Sequence, residues 1–224
     1  NCADLVVSYP ILVFSDKTSF APQFPSRFYD ESSFQDIFIY NALHEYTSPW
    51  AKLFKKEIIR NEQIRFCEDM FIGEDMVFLY TYMKYVKSIY VSTSTDYFYN
   101  FESQSSLTKR VNTFSSEYSG YSKILNTIEA LIDIWSISNT CVLDKLRWLQ
   151  GNYVRRVLNS MYHSDMSVSH RLEVLRAMDL EAYYNYLHIP ALKEKLLAYL
   201  LKYKLFILYD ITRTIASIIN RVSK

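Results

Sequence analysis

The chain has 224 residues, half of them apolar or aromatic, with 25 Lys/Arg against 24 Asp/Glu and only 3 Gly and 5 Pro. That composition excludes a disordered or low-complexity chain and leaves a helix-leaning globular protein with enough length for one large or two small domains. A net charge of +1 gives no reason to expect a nucleic-acid partner. In chain order, residues 4–14 read as one or two short strands interrupted by Pro10, and residues 15–30, with Pro22 and Pro25, as a loop. Phe34, Ile37, Phe38, Tyr40 and Leu43 predict a helix over 31–46. A turn, a short helix near 50–60 and an extended piece to Phe66 follow. After Gly73 a helix is expected from Asp75 to about Lys87, and "SIYVSTSTDYFYNF" then reads as a strand pair around a polar turn.

Beyond Thr113 the pattern becomes helical. Tyr118, Tyr121, Ile124, Leu125, Ile128, Leu131, Ile132 and Trp135 line one face of a long helix, and Val142, Leu146, Leu149, Tyr153 and Val157 one face of a second. Shorter helices are expected at 168–177 and 179–187, and more helix after Pro190. The expected class is α+β, mostly helical, with a mixed α/β part over 1–112 and a helical part over 113–224.

Cys2, Cys67 and Cys141 are odd in number and lack metal-site spacing. They point to free thiols in a reducing, cytoplasmic setting, not to a disulfide frame or a zinc site. The 20 Tyr and 14 Phe suggest aromatic packing and places where a ring meets a sugar or a membrane interface. No apolar run reaches the length of a membrane span, and the N-terminus lacks a basic leader region. No Met opens the chain and its first readable element is already a buried-type strand, so a truncated piece of a longer protein is expected. Lys193, Lys195, Lys202, Lys204, Arg213, Arg221 and Lys224 outnumber Glu194 and Asp210 at the C-terminus, a basic, Leu- and Tyr-rich tail that suggests a partner.

The chain has no Gly-rich phosphate loop, no His-Glu-x-x-His, no Gly-x-Ser-x-Gly and no Asp-x-Asp. Its four His are dispersed and read as surface or satisfied core residues. Glu74–Asp75, taken alone, is most simply a helix start, where carboxylates complement the orphan N–H groups and the dipole. Trp50 with its Lys neighbours reads alone as a core ring beside a solvated face.

Five segments nevertheless occur in a telling order. Trp50-Ala-Lys52-Leu-Phe-Lys-Lys-Glu-Ile-Ile, Ile64-Arg-Phe66, Gly73-Glu-Asp-Met-Val-Phe78, Asp96-Tyr-Phe-Tyr99 and Ser105-Ser-Leu-Thr108 resemble the second half of a family 2 glycosyltransferase of the kind that builds bacterial surface polysaccharides. The opening "ADLVVS" is similar to the strand that follows the family's nucleotide-binding half, and the resemblance covers roughly residues 3–110. It implies the acceptor-side part of a GT-A α/β fold, followed by a helical C-terminal domain. It implies inverting transfer of a sugar from a nucleotide-sugar donor to a saccharide or lipid-linked acceptor. Asp75 would be the base, Glu74 its neighbour shaping the acceptor side or supporting the base, Trp50 a ring face for the sugar, and Lys52 a cation near the diphosphate or acceptor.

The family's Asp-x-Asp and nucleotide-binding units are missing from this sequence. A divalent metal, Mg or Mn, is therefore expected for a full-length enzyme, none is expected on this chain, and the chain by itself is expected to be inactive. Residues 191–224 are expected either to lie on the core or to touch the inner face of the cytoplasmic membrane peripherally. A dimer would cover a sheet edge left open by the missing half. The alternative from another class is a non-catalytic helical interaction or membrane-surface module, with Glu74–Asp75 a simple helix cap.

Overall fold

The computed structural model describes residues 3–14, 16–95, 97–100, 113–186 and 192–222. Cys2, Asp96 and the Ser105–Thr108 segment, which entered the expectations above, lie outside the described residues. The chain is α+β and mostly helical, as expected.

The first strand, β1 (Leu5–Val7), and β2 (Ile11–Val13) are separated by Ser8-Tyr9-Pro10, because Pro10 has no N–H to offer a ladder. Two short strands then occupy the stretch expected to be loop, β3 (Ser19–Phe20) and β4 (Arg27–Asp30). In β4 the buried Tyr29 alternates with exposed Phe28, and its backbone pairs antiparallel with β6 (Ser88–Val91). Four residues just past Pro25 carry too little pattern to announce a strand in sequence.

The helix expected over 31–46 shrinks to a 3₁₀ turn at Phe34–Asp36 and α1 (Ile37–Tyr40). What ends it is Asn41. Fully buried, it gives its carbonyl to the Tyr9 hydroxyl at 2.5 Å and its side-chain oxygen to the Tyr29 hydroxyl, while its amide donates to the Pro25 carbonyl at 3.2 Å. Ala42 follows with φ of 47°, outside the helical range. Tertiary bonds to one polar residue thus override an apolar period.

Part of the expected helix near 50–60 is instead a strand, β5 (Lys52–Phe54), followed by α2 (Lys56–Asn61). Next comes α3 (Glu74–Met83), then β6 and β7 (Phe98–Asn100). The two last strands do not form the expected pair with each other. β6 runs parallel to β1 in a sheet of order β4-β6-β1-β5, and β7 runs parallel to β2 in a second sheet of order β3-β2-β7. The chain segments β1–β2 and β6–β7 therefore cross together from one sheet to the next, and the polar stretch at 92–95 is a crossing rather than a hairpin turn.

The helical half matches its periodicity: α4 (Phe114–Ile134), α5 (Thr140–His163), α6 (Val168–Ala177), α7 (Glu181–Tyr186), α8 (Leu192–Lys202) and α9 (Phe206–Val222). Thr113, Asn139 and Ser167 each cap a helix with a side-chain oxygen accepting an N–H of the first turn. Two apolar cores result. One joins Leu5, Val7, Ile89 and Val91 of the first sheet to α3 and to Ile128, Leu131, Val142 and Leu146 of α4 and α5. The other gathers Val157, Met161, Leu175, Leu201 and Tyr209 from α5, α6, α8 and α9. Since α4 and α5 supply both cores, the helical half is braced against the sheet that carries the site.

Candidate active site

The site forms where β5 meets the start of α3. Along β5, Lys52 and Phe54 point to one face and Leu53 to the other, where it is exposed. Phe54 settles on α3, its ring 5.5 Å from Phe78 and 4.9 Å from Tyr82 by centroid. Two residues back on the strand and one helical turn back on α3, the same facing brings the Lys52 ammonium into the field of Asp75. The aromatic contact, made of apolar side chains, thus sets the register of the polar one.

Lys52 is held from behind as well. Its Nζ donates to the carbonyls of Tyr46 at 2.9 Å and Ser48 at 2.6 Å, and burial pulls its pKa down to about 8 despite the opposing pull of Asp75. The 46–51 loop that wraps it closes through Ala51, whose φ is 58° and whose carbonyl accepts both the N–H and the hydroxyl of Ser8 at 2.9 Å. The same loop turns the Ser48 hydroxyl toward the Asp75 carboxylate, to which it donates.

Asp75 itself sits above the ordinary carboxylate range. Burial raises it first and the adjacent Glu74 carboxylate adds to this, while the Ser48 hydrogen bond and Lys52 pull the other way without prevailing. A helix N-terminus alone would have lowered it. Desolvation wins here, and the outcome is a more basic carboxylate.

The start of α3 is fixed by Gly73, the residue preceding the helix, at φ of 82°. A Cβ built there would meet Ile124 Cδ1 at 2.6 Å and the Tyr153 hydroxyl at 3.1 Å. Only glycine therefore lets the Glu74–Asp75 turn lean this closely on α4 and α5. Gly73→Ala is expected to lower unfolding free energy by about 2–4 kcal/mol, combining left-handed strain with overpacking. Chemical denaturation of the variant measures this directly.

Tyr153 of α5, expected from sequence only as a helix-face residue, stands beside this turn. Burial and the nearby Glu74 and Asp75 charges push its hydroxyl up to about 12 against the pull of Arg156. It stays protonated and can only stabilise negative charge by hydrogen bonding. Trp50 lies on the loop between Ser48 and Lys52 and stacks on Tyr99 of β7 at 5.0 Å and on Tyr97, just before that strand, at 5.2 Å. Tyr97 keeps part of its ring exposed. All four residues singled out in sequence are thus on two neighbouring segments, 50–52 and 74–75. Ser48, Tyr97, Tyr99 and Tyr153 were not assigned to the site. Tyr97 and Tyr99 lie in one of the five ordered segments but carried no role there, while nothing in the sequence ties Ser48, just before Pro49, or Tyr153 to Asp75.

Among the described residues there is no group of three His, Cys, Asp or Glu placed to hold a metal ion. Glu74 and Asp75 do not make up a metal seat with the residues around them, so no step below runs through a metal. A cavity of about 260 Å³ lies in the helical half, lined by Tyr121, Glu129, Arg147, Gln150, Asp179 and Glu181 among others, and none of the site residues borders it. Its polar groups are largely engaged with one another: Glu129 accepts from Gln150 Nε2 at 2.7 Å and from Arg147 Nη2 at 2.9 Å.

No protein-family model and no curated protein matches the sequence. Among solved structures the chain is similar to S. aureus TarS 1-349 in complex with UDP-GlcNAc, with a TM-score of 0.52 and 11% identity. The fold is glycosyltransferase-like. The match covers 94% of this chain and 58% of the TarS chain, so this chain spans little more than half of that structure's length. At this identity the likeness is one of fold alone, and it says nothing of residue roles. No helix among the described residues is long and apolar enough to cross a membrane.

Proposed function

We propose that this chain is the acceptor-side part of an inverting, family 2-like glycosyltransferase with a GT-A-type domain, moving a sugar from a nucleotide-sugar donor to a saccharide or lipid-linked acceptor in cell-surface polysaccharide assembly. The observation that carries the reading is Asp75, a carboxylate made more basic by burial, on the first turn of a helix and hydrogen-bonded by Ser48. The fold likeness to a protein solved with UDP-GlcNAc supports it.

In the proposed step an acceptor hydroxyl oxygen attacks the anomeric carbon as the bond from that carbon to the diphosphate oxygen breaks. The hydroxyl proton passes to Asp75. Lys52 favours the charged form of Asp75, and Ser48 holds the carboxylate in one orientation. Glu74 shapes the acceptor side next to it. Trp50, backed by Tyr97 and Tyr99, offers an aromatic surface for a sugar ring. A divalent metal would neutralise the departing diphosphate, and in this proposal it is held by the nucleotide-binding half of a longer protein. The chain alone is therefore proposed to be inactive.

The test uses the chain itself. Addition of acceptor-type oligosaccharides shifts the Trp50 indole ¹H–¹⁵N resonance, assigned by its loss in Trp50→Phe, whereas UDP-GlcNAc leaves it in place. An indole signal that ignores every saccharide removes the acceptor surface from the proposal.

A further inference from the structure

The last helix is mounted with its polar side inward. Asp210, buried, accepts Arg171 Nε at 2.6 Å and Nη2 at 2.9 Å, and the Tyr162 hydroxyl at 2.9 Å. Arg213 donates to Asn159 at 2.7 Å, and the Ser217 hydroxyl reaches the Tyr162 carbonyl at 3.4 Å. The outward side of α9 is then apolar: Ile207, Leu208, Ile211 and Ile215 are each more than half exposed. On α8, which touches α9, and at the residue just past its end, Leu192, Leu196, Tyr199 and Tyr203 are likewise more than half exposed. A surface helix of a self-sufficient domain does the reverse, burying its apolar stripe. Eight large apolar side chains on two touching helices exceed the scattered exposure that needs no explanation.

Charge decides what covers this face. Lys195, Lys202 and Lys204 are exposed on α8 and just past its end, with Glu194 as the exposed acid. The other acid of the two helices, Asp210, is consumed inside by Arg171. Laying the face against a second copy would bring Lys195, Lys202 and Lys204 of both copies together, with only the Glu194 pair among the described exposed acids to answer them. An anionic bilayer instead answers both features, since its headgroups attract lysines, its interface favours Tyr rings, and its acyl boundary takes Leu and Ile. We infer that α8 and α9 form a peripheral docking surface for an anionic lipid bilayer, the two helices lying in the interface with the buried Arg171–Asp210 pair holding α9 in that pose. The inference does not rest on the transferase reading, because it needs neither donor nor acceptor.

Flotation of the purified chain with vesicles of phosphatidylcholine, alone or with about 30% phosphatidylglycerol, at about 0.1 M salt tests it. Binding to the anionic vesicles is expected to be about a hundredfold stronger than to the neutral ones and to collapse at about 0.5 M salt. Ile211→Asp/Ile215→Asp should weaken it about tenfold or more with the circular-dichroism melt unchanged, both side chains being exposed. Should that variant fold poorly, Lys195→Gln/Lys202→Gln/Lys204→Gln provides an independent arm, expected to remove the preference for anionic lipid while leaving the helices intact. Absence of vesicle binding, or binding indifferent to lipid charge and to both variants, overturns the inference. So does a chain that self-associates through Ile211 and Ile215 and ignores vesicles, which would assign the face to a second copy.

Discussion

Asp75→Asn, placed in a longer protein that also carries the nucleotide-binding half, is expected to lower kcat/KM by about a thousandfold, the contribution of a positioned general base. Stability should not fall with it. Asp75 has a folded-state pKa above its unfolded value, so its carboxyl favours the fold fully in acid and loses that contribution as pH rises through the folded pKa. At neutral pH the native protein therefore carries the cost of a desolvated carboxylate, and the amide variant does not. The amide oxygen still accepts from the Ser48 hydroxyl, and Lys52 keeps its two carbonyl partners. Equal or higher melting temperature at pH 7, with the difference vanishing in acid, distinguishes a residue kept for chemistry from one kept as a helix cap. The native enzyme should also show an acid limb in kcat/KM lying above the ordinary carboxylate range. If Asp75→Asn keeps the native rate, the base is not Asp75; if it melts well below the native chain, the residue is structural.

How far the sequence went depended on whether a residue's neighbours were near in the chain. The long helices were visible because Ile124, Ile128 and Leu131, or Val142, Leu146 and Tyr153, repeat at helical spacing whatever they touch. The break at Pro10 was visible for the same local reason. The early helix failed because the hydroxyls of Tyr9 and Tyr29, far off in sequence, claim Asn41. The strand pair at 88–100 failed because both strands pair with β1 and β2 instead of with each other. At the site, the adjacency of Glu74 and Asp75 and the segment at 50–52 could be quoted directly. That Phe54 fixes the facing of Lys52, that Ser48 reaches Asp75, and that Tyr153 supports the turn at Gly73 are consequences of packing between elements. No spacing rule contains them.

The second large effect concerns the other core. Arg171→Met is expected to lower unfolding free energy by about 3–5 kcal/mol, because it leaves a buried carboxylate without its cation. Asp210 is 3% exposed, and Arg171 closes on it with two nitrogens while its third, Nη1, donates to the Met166 carbonyl at 2.6 Å. The guanidinium therefore ties α9 to the Ser164–Ser167 connection and to α6 in one stroke, and also stands over the Tyr162 ring, 5.4 Å from its centroid. With Arg171 gone, α9 should loosen before the sheet core does, since no described side chain of α9 belongs to the first core. Hydrogen exchange is the suitable readout: amides of α9 lose protection, and those of β1 and β6 keep theirs. Removing the stranded charge as well, in Arg171→Met/Asp210→Leu, should recover about half of the loss, the remainder reflecting the Tyr162 hydroxyl left without its acceptor. If the single and double variants are equally unstable, the pair acts through shape and not through charge. If the single variant is as stable as the native chain, α9 is held by its apolar contacts alone, and the inverted mounting of that helix needs another cause.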